Sequence, residues 1–455
     1  MTDKKTDALG NASIAKLLLT YSLPAIVATL INSLYNIVDR IFIGHGVGSI
    51  AISGLALTLP IAALQTACGM LIGAGAGARI SIVLGQKDKN WAEKILANAL
   101  ILSIIVSGLF ILGTMVYMDE LLMLFGGSEQ TIPYAKSYLQ IVIPGSVFAT
   151  LTFSFCNMIR ASGYPMKSMM IIVVGAILNT VLDPIFIFGL GLGIKGGAIA
   201  TVISMIVTAI LVLWHFIKDG KTINFHRRNF QLKTYIIRNI LAIGISPFLI
   251  NLTAAVVTAI ISSSLMRYGG DLAIGAYGII NSFAVLIVMI IIGLCQGMQP
   301  IVGYNYGAGK RDRMREALVL GIKVASVVSV ICFIIAEFFP KYVAIAFTND
   351  KELTEMSVHA LRVVLAASPF IGFQIVITNF FQSIGKVKLS ILLSLSRQVL
   401  FLIPMLFILP PIFELSGVWL AMPVADSISV IFAAVVLYRN RHIFRTSMGT
   451  LEGLN

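Results

Sequence analysis

Apolar runs long enough to cross a bilayer recur about twelve times along these 455 residues, and no other feature restricts the fold so severely. They fall near 15–43, 51–77, 92–117, 133–158, 167–190, 196–217, 237–266, 273–300, 317–339, 356–382, 389–410 and 416–438. With 58% of residues hydrophobic and 12% charged, a soluble domain of this length could not hide its apolar surface. The expectation is an all-α polytopic membrane protein. The polar start, Met-Thr-Asp-Lys-Lys-Thr, and the lack of a small-residue cleavage site make the first run a retained span and not a signal peptide. Cys68, Cys156, Cys295 and Cys332 are scattered through apolar runs without CxxC spacing, so they are read as packing residues with no disulfide framework or metal site.

The net charge of +13 could suggest nucleic acid, but the charges are sorted by loop and no nucleic-acid partner is expected. One set of connections carries Lys16, Arg79, Lys87, Lys89, Arg160, Lys218, Arg227, Arg228, Lys310, Arg311, Arg313, Lys386, Lys388, Arg439 and Arg441. The other holds most of the acids, among them Asp119, Glu120, Glu129, Asp350, Glu352 and Glu414. By the positive-inside rule both termini are cytoplasmic and the span count is even.

A shift of about 222 residues superimposes the two halves. Gly85 falls on Gly307, Gly163 on Gly385, Gly48 on Gly270, and Pro24, one step off, on Pro247. Six spans per half put both halves into the membrane in the same orientation, as parallel repeats about an axis along the membrane normal. The predicted organisation is an amino-terminal six-helix lobe (1–218), a basic cytoplasmic linker (219–235) and a carboxy-terminal six-helix lobe (236–455).

Polar residues at membrane depth carry the functional signal. Asn32, Tyr35, Asn36 and Asp39 are three and four residues apart, so they share one face of the first span. Asn179 and Asp183 share a face of the fifth, and Pro184 frees the carbonyl of Thr180. Counting residues puts Asp39 about 33 Å from Leu17 and Asp183 about 24 Å from Lys167, both in the outer half, with Thr201 entering from the outer side. Two carboxylates, an amide and a hydroxyl at one level suit a hard cation such as Na⁺ or a shared proton, because neighbouring carboxylates in a low dielectric cannot both stay ionised cheaply. The plainer alternatives are that Asp39 sits in the headgroup region beside Arg40, and that Asn179 and Asp183 cap a broken helix.

The second half lacks counterparts of these acids. Instead, Arg397 lies about 13 Å from Lys388 and Asp426 about 15 Å from Ser416, depths that coincide in a core of about 30 Å and predict an ion pair, read first as structural, with a second proton-coupling group as the minority alternative. Met205, Asn281 and Met289, with Tyr35, Asn36 and Tyr138, are candidates for an adaptable substrate pocket for flat hydrophobic cations, although for any one lining residue taken singly core packing or lipid contact is the better explanation. Tyr138 lies at the right level to border the Asp39 pocket.

Four stretches together resemble the multidrug and toxic compound extrusion (MATE) transporters, especially bacterial members of the staphylococcal multidrug-exporter type. They are Leu34-Tyr-Asn-Ile-Val-Asp39-Arg-Ile-Phe-Ile-Gly44, Leu178-Asn-Thr-Val-Leu-Asp183-Pro-Ile-Phe-Ile-Phe-Gly189, Gln296-Gly-Met-Gln-Pro-Ile-Val-Gly-Tyr-Asn-Tyr-Gly-Ala308 and Arg160-Ala-Ser-Gly163. The resemblance implies twelve transmembrane helices in a V-shaped pair of lobes. It also implies alternating access, and H⁺- or Na⁺-coupled antiport of drugs and organic cations from a bacterial cytoplasmic membrane. Asp39, Asn179, Asp183 and Thr201 match family coupling positions, the same four holding Na⁺ if sodium couples, and Tyr35 and Tyr138 stand close by. No other cofactor is implied, the protein is not expected to be an enzyme, and a monomer is expected. Some members carry a glutamate on span seven; residues 240–266 contain no acid, so a sodium site of that type is not expected. A lipid-linked-sugar flippase of the same superfamily would want a broad cationic cavity, and intramembrane basic residues are nearly limited to Arg397. The charged loop of major-facilitator transporters, hydrolase motifs and a channel filter are all absent from the sequence.

Overall fold

The computed structural model describes residues 4–219, 222–348 and 350–444; within them the side chains of Asn36 and Arg40, among a few others, lie outside what is described. The amino-terminal half is built from α1 (Lys4–Asn11), α2 (Ile14–Val47), α3 (Ser49–Ala56), α4 (Leu59–Gly85), α5 (Lys89–Val116), α6 (Met118–Leu124), α7 (Ile132–Ala161), α8 (Pro165–Pro184) and α9 (Ile194–Trp214). The carboxy-terminal half follows with α10 (Thr234–Gly307), α11 (Arg311–Phe338), α12 (Pro340–Ile345), α13 (Lys351–Val364), α14 (Ser368–Ser383), α15 (Val387–Leu395), α16 (Ile403–Ile408) and α17 (Pro410–Arg439).

Ten of the described segments are long and apolar enough to span. One of them, the 74-residue α10, is broken at Gly270 (φ 64°, ψ −161°) and supplies two spans. A twelfth comes from α13 and α14, which meet at a 53° bend. The local sequence permits the bend: Pro369 stands in the first turn of α14, where its missing N–H costs nothing, whereas a helix running through from α13 would lose a hydrogen bond there. Three spans carry π-helical turns among the described residues: Ile185–Gly189 directly after Pro184, His215–Asp219 following α9, and Ser396–Leu402 around Arg397. Such turns commonly mark places where side chains are re-aimed at function.

The repeat is visible in the backbone. Left-handed residues recur in pairs at the same spacing: Gly48 with Gly270, Lys87 with Gly309, and Gly163 with Gly385. Each pair ends or breaks equivalent helices in the two halves.

The lobes meet at the end of the bundle that carries the basic loops. Glycines let helix backbones touch there, the small-residue packing that lipid-embedded helices use in place of a hydrophobic drive. A Cβ on Gly85 would lie 2.1 Å from the Tyr304 carbonyl oxygen, and one on Gly307 would lie 1.9 Å from that of Ile82. These are the same contact seen from each half. Likewise a Cβ on Gly244 would lie 1.6 Å from the Leu71 carbonyl oxygen, and one on Gly297 2.4 Å from Ser22. One continuous hydrophobic core at this end joins α2, α4, α5 and α7 to α10, α11 and α14. At the acidic end the cores are separate, one within the carboxy lobe and two within the amino lobe. There Leu34 and Leu64, with their repeat mates Val256 and Leu286, are exposed. The result is a V with its apex at the basic end.

Two straps cross the apex. The carbonyl end of α1 is held by the opposite lobe: Asn305 donates to the Leu9 carbonyl (3.0 Å), Lys310 to that of Gly10 (2.8 Å) and Arg313 to that of Leu9 (3.3 Å). The linker does the converse. His226 pairs with the buried Glu93 carboxylate at 3.2 Å, and the Lys233 backbone N–H donates to Asn98 at 3.0 Å. Between Asp219 and the start of α10 the described part of the linker holds a short 3₁₀ turn, Arg227–Asn229, and residues 220 and 221 lie outside the described structure.

Candidate functional site

The polar residues of α2, α8 and α9 converge in the outer part of the amino lobe. Asp183 is fully buried, and Asn179, Thr201 and Asp39 are all below a tenth exposed. Asn179 Nδ2 donates to Thr201 Oγ1 (3.3 Å) and to Asp183 Oδ1 (3.4 Å), tying α8 to α9. Asp39 from α2 adjoins the Asp183 carboxyl. Tyr138 from α7 sits beside Thr201 and faces both carboxyls and Tyr35. Asp183 Oδ2 and Asn179 Oδ1 are buried without a hydrogen-bond partner among the described residues. Buried oxygens in this state carry a desolvation cost that a bound cation or proton would relieve.

Local sequence explains the convergence. Asn179 and Asp183 are one helical turn apart, and Pro184 with the π-turn behind it ends the regular ladder beside them. Gly197 lets α9 approach α2: a Cβ there would meet Ile43 at 2.9 Å and the Asp39 carboxyl oxygen at 3.6 Å. Phe42 packs edge-on against Phe188 at 6.4 Å, and Ile43, Ile187 and Ile194 share a small apolar core, so the cluster has a dry lid on its outer side. Gly197 was not singled out from sequence; its signal was the Gly196-Gly197 pair at the start of a span.

The other candidate positions spread out. Met205 is one turn beyond Thr201 on α9 and half-buried, and its carbonyl accepts from Thr208 at 3.0 Å. The Met289 carbonyl accepts from Thr29 across the lobes at 3.3 Å. Asn281 is exposed on α10. No described hydrogen bond joins these three to the carboxylate cluster. The Asn36 side chain lies outside the described residues.

In the carboxy lobe Arg397 Nε donates to Asp426 Oδ1 at 2.6 Å, with a second contact from Nη2 to Oδ2 at 3.4 Å. Tyr277 stands beside the guanidinium. Removing one partner of such a pair strands a charge, at a cost of about 3–5 kcal/mol for a fully buried pair and less here, since Arg397 remains 31% exposed. Asp426→Ala is therefore expected to lower the thermal midpoint of the purified protein more than the double change Arg397→Met/Asp426→Leu. Equal midpoints for the two variants would show that the pair contributes no strandable charge.

Among the described residues no three His, Cys, Asp or Glu side chains stand together as a metal site, and all four cysteines are free and buried. The cation-competent set is the mixed oxygen cluster of Asp39, Asp183, Asn179 and Thr201.

Comparison with known proteins agrees with this architecture. The MatE family model matches twice, over residues 24–185 and 247–408, one match per half. Multidrug export protein MepA of Staphylococcus aureus (strain N315) is 29% identical over 438 residues, covering 96% of both chains. Its Staphylococcus haemolyticus counterpart is 28% identical and covers 97% of both. Among solved structures, a ligand complex of the MATE multidrug transporter DinF-BH superposes with a TM-score of 0.90 at 36% identity, covering 97% of this chain and 99% of that one. Matched in both halves by the family model and along nearly its whole length by such relatives, the chain belongs to the MatE family of membrane transporters.

Proposed function

We propose that this protein is a multidrug exporter that exchanges organic cations for H⁺ or Na⁺ by alternating access. The observation that carries the reading is the buried pair Asp39 and Asp183, with Asn179 and Thr201, in one lobe only and next to a V-shaped cleft. A proton or cation on this cluster relieves the repulsion and desolvation of two carboxylates. It thereby draws α2 and α8 together and changes the shape of the cleft wall that α2 forms. The cation and the drug must weaken each other's binding for exchange to occur, which is a negative coupling free energy shared by the two sites. The multidrug-export names of the MepA and DinF-BH relatives support a drug-like cargo. With the lobes sealed at the basic end, the conformation is outward-facing if the basic loops are cytoplasmic, as their charge implies. Both termini then lie in the cytoplasm of a bacterial cell, and the protein works as a monomer in its cytoplasmic membrane.

The test is efflux of a fluorescent organic cation from proteoliposomes under a pH gradient and, separately, a sodium gradient. Transport driven by one gradient establishes coupling and identifies the ion. No transport under either, by a folded protein, would overturn the reading and favour a lipid-linked substrate.

A further inference from the structure

An open groove of about 560 Å³, here called the cavity, lies at the basic end of the carboxy lobe between α11, α14 and α17, with Arg315, Ala434, Tyr438 and Arg441 exposed along it. None of its lining residues belongs to α2, α8 or α9, so it is separate from the carboxylate cluster. Its walls are apolar: Phe373 from α14, Ala434 and Leu437 from α17, and Phe444 from the 3₁₀ turn that follows. Phe444 is stacked on the fully buried Phe380 at 5.6 Å and 24°, which fixes that turn against the core. The rim carries Arg315 and Arg441. Arg441 is already oriented, with its guanidinium 4.6 Å over the Tyr438 ring and Nη1 donating to the Tyr438 hydroxyl at 3.2 Å. Neither arginine is in an ion pair among the described residues, and no acid lines the cavity, Asp312 and Glu316 of α11 included.

This arrangement has a polarity. The cationic rim lies at the level where α17 ends, and Ala434 is five residues, about 8 Å, further into the apolar span. The volume is within the range of about 300–1,000 Å³ typical of small-ligand sites. An amphiphile with an anionic head at the membrane surface and an apolar body below it matches both ends. Basic pockets between membrane helices on the cytoplasmic side take lipid head groups of this charge, and guanidinium forks suit phosphate oxygens.

We propose that the cavity binds one anionic phospholipid from the leaflet at the basic face. Its phosphate sits between Arg315 and Arg441, and its glycerol and upper acyl chain lie against Phe373, Ala434 and Leu437.

The test is native mass spectrometry of the full-length protein released from nanodiscs of equal phosphatidylglycerol and phosphatidylcholine. The expected result is one retained phosphatidylglycerol, favoured over phosphatidylcholine by on the order of thirtyfold for two arginines at a charged surface. Arg315→Gln/Arg441→Gln should bring that preference close to unity. Ala434→Trp, which fills the cavity and leaves both charges in place, should lower the retained lipid itself. Excess inorganic phosphate should leave the lipid bound. Equal retention of the two lipids by the unmodified protein would overturn the proposal, as would a preference unchanged in both variants or complete displacement by phosphate. A lipid that binds only after residues 445–455 are removed would assign the cavity to the chain's own tail, with the same consequence.

Discussion

Asp183→Asn is expected to lower gradient-driven efflux at least about tenfold, a loss equivalent to some 1.4 kcal/mol of coupling, while leaving the protein folded. The carboxamide has nearly the shape of the carboxyl, and the side chain is fully buried, so the change removes charge and acidity with little change in packing. Asn179 keeps a nearby oxygen to donate to, because Asp183 Oδ1 becomes an amide oxygen. What disappears is the ability to exchange a proton or hold a cation against Asp39. Asp39→Asn is expected to act in the same direction, since the two carboxyls adjoin and the proposed exchange uses them as one site. The measurement is proteoliposome efflux under the driving gradient, paired with equilibrium binding of the fluorescent substrate in detergent. Binding retained with efflux lost is the expected pattern. If both variants transport at the unmodified rate, the carboxylate cluster is not the coupling site.

A single methyl group at the apex is expected to have an effect of similar size. The Cβ of Gly244→Ala would fall 1.6 Å from the Leu71 carbonyl oxygen, far inside any tolerated contact, and the obstacle is backbone that cannot rotate away. The amino and carboxy lobes must separate there. A penalty of about 3 kcal/mol, at the upper end of overpacking costs, would reduce the sealed population by roughly a hundredfold relative to the open one. Cys295 provides a native probe, being only 3% exposed and part of the core that joins the lobes. With Cys68, Cys156 and Cys332 replaced by serine, a membrane-impermeant thiol reagent should label Cys295 faster in Gly244→Ala than in the parent, and efflux should fall. Unchanged labelling together with unchanged efflux would mean that the apex does not have to close.

Much of this was legible in the residues, for identifiable reasons. Lipid leaves the backbone few options, so apolar length alone located the spans, and the even count in each half forced a parallel repeat. The Asn179 and Asp183 spacing put both on one face without reference to any fold. Arg397 and Asp426 were matched by depth, because a charge inside a membrane needs a partner at its own level. What stayed hidden depended on contacts between distant segments. Residues 356–382 read as one apolar run, whereas the described chain bends by 53° between α13 and α14, a choice that Ser368-Pro369 permits but does not dictate. The spans near 237–266 and 273–300 read as separate helices with a loop; in the structure a single residue, Gly270, makes the break. Gly85 and Gly307 were visible as repeat landmarks, but their role as the places where two lobes touch emerges only when α4 lies against α10. Sequence spacing describes one helix at a time.

The Gly85–Tyr304 and Gly307–Ile82 contacts are equivalent under the 222-residue repeat, and this has a mechanical consequence. A rigid lobe cannot peel away from one of them while resting on the other, because both lie on the same short lever at the apex. In the proposed alternating access, release would therefore be concerted, with two latches on one bolt. The adjoining carboxyls proposed to take the cation, Asp39 and Asp183, are both in the amino lobe, whereas the buried acid described in the carboxy lobe, Asp426, is paired with Arg397. In the proposed exchange, a symmetric closure under one-sided command would need one ion-binding event to move both halves, which would leave the carboxy lobe free to diverge in what it recognises.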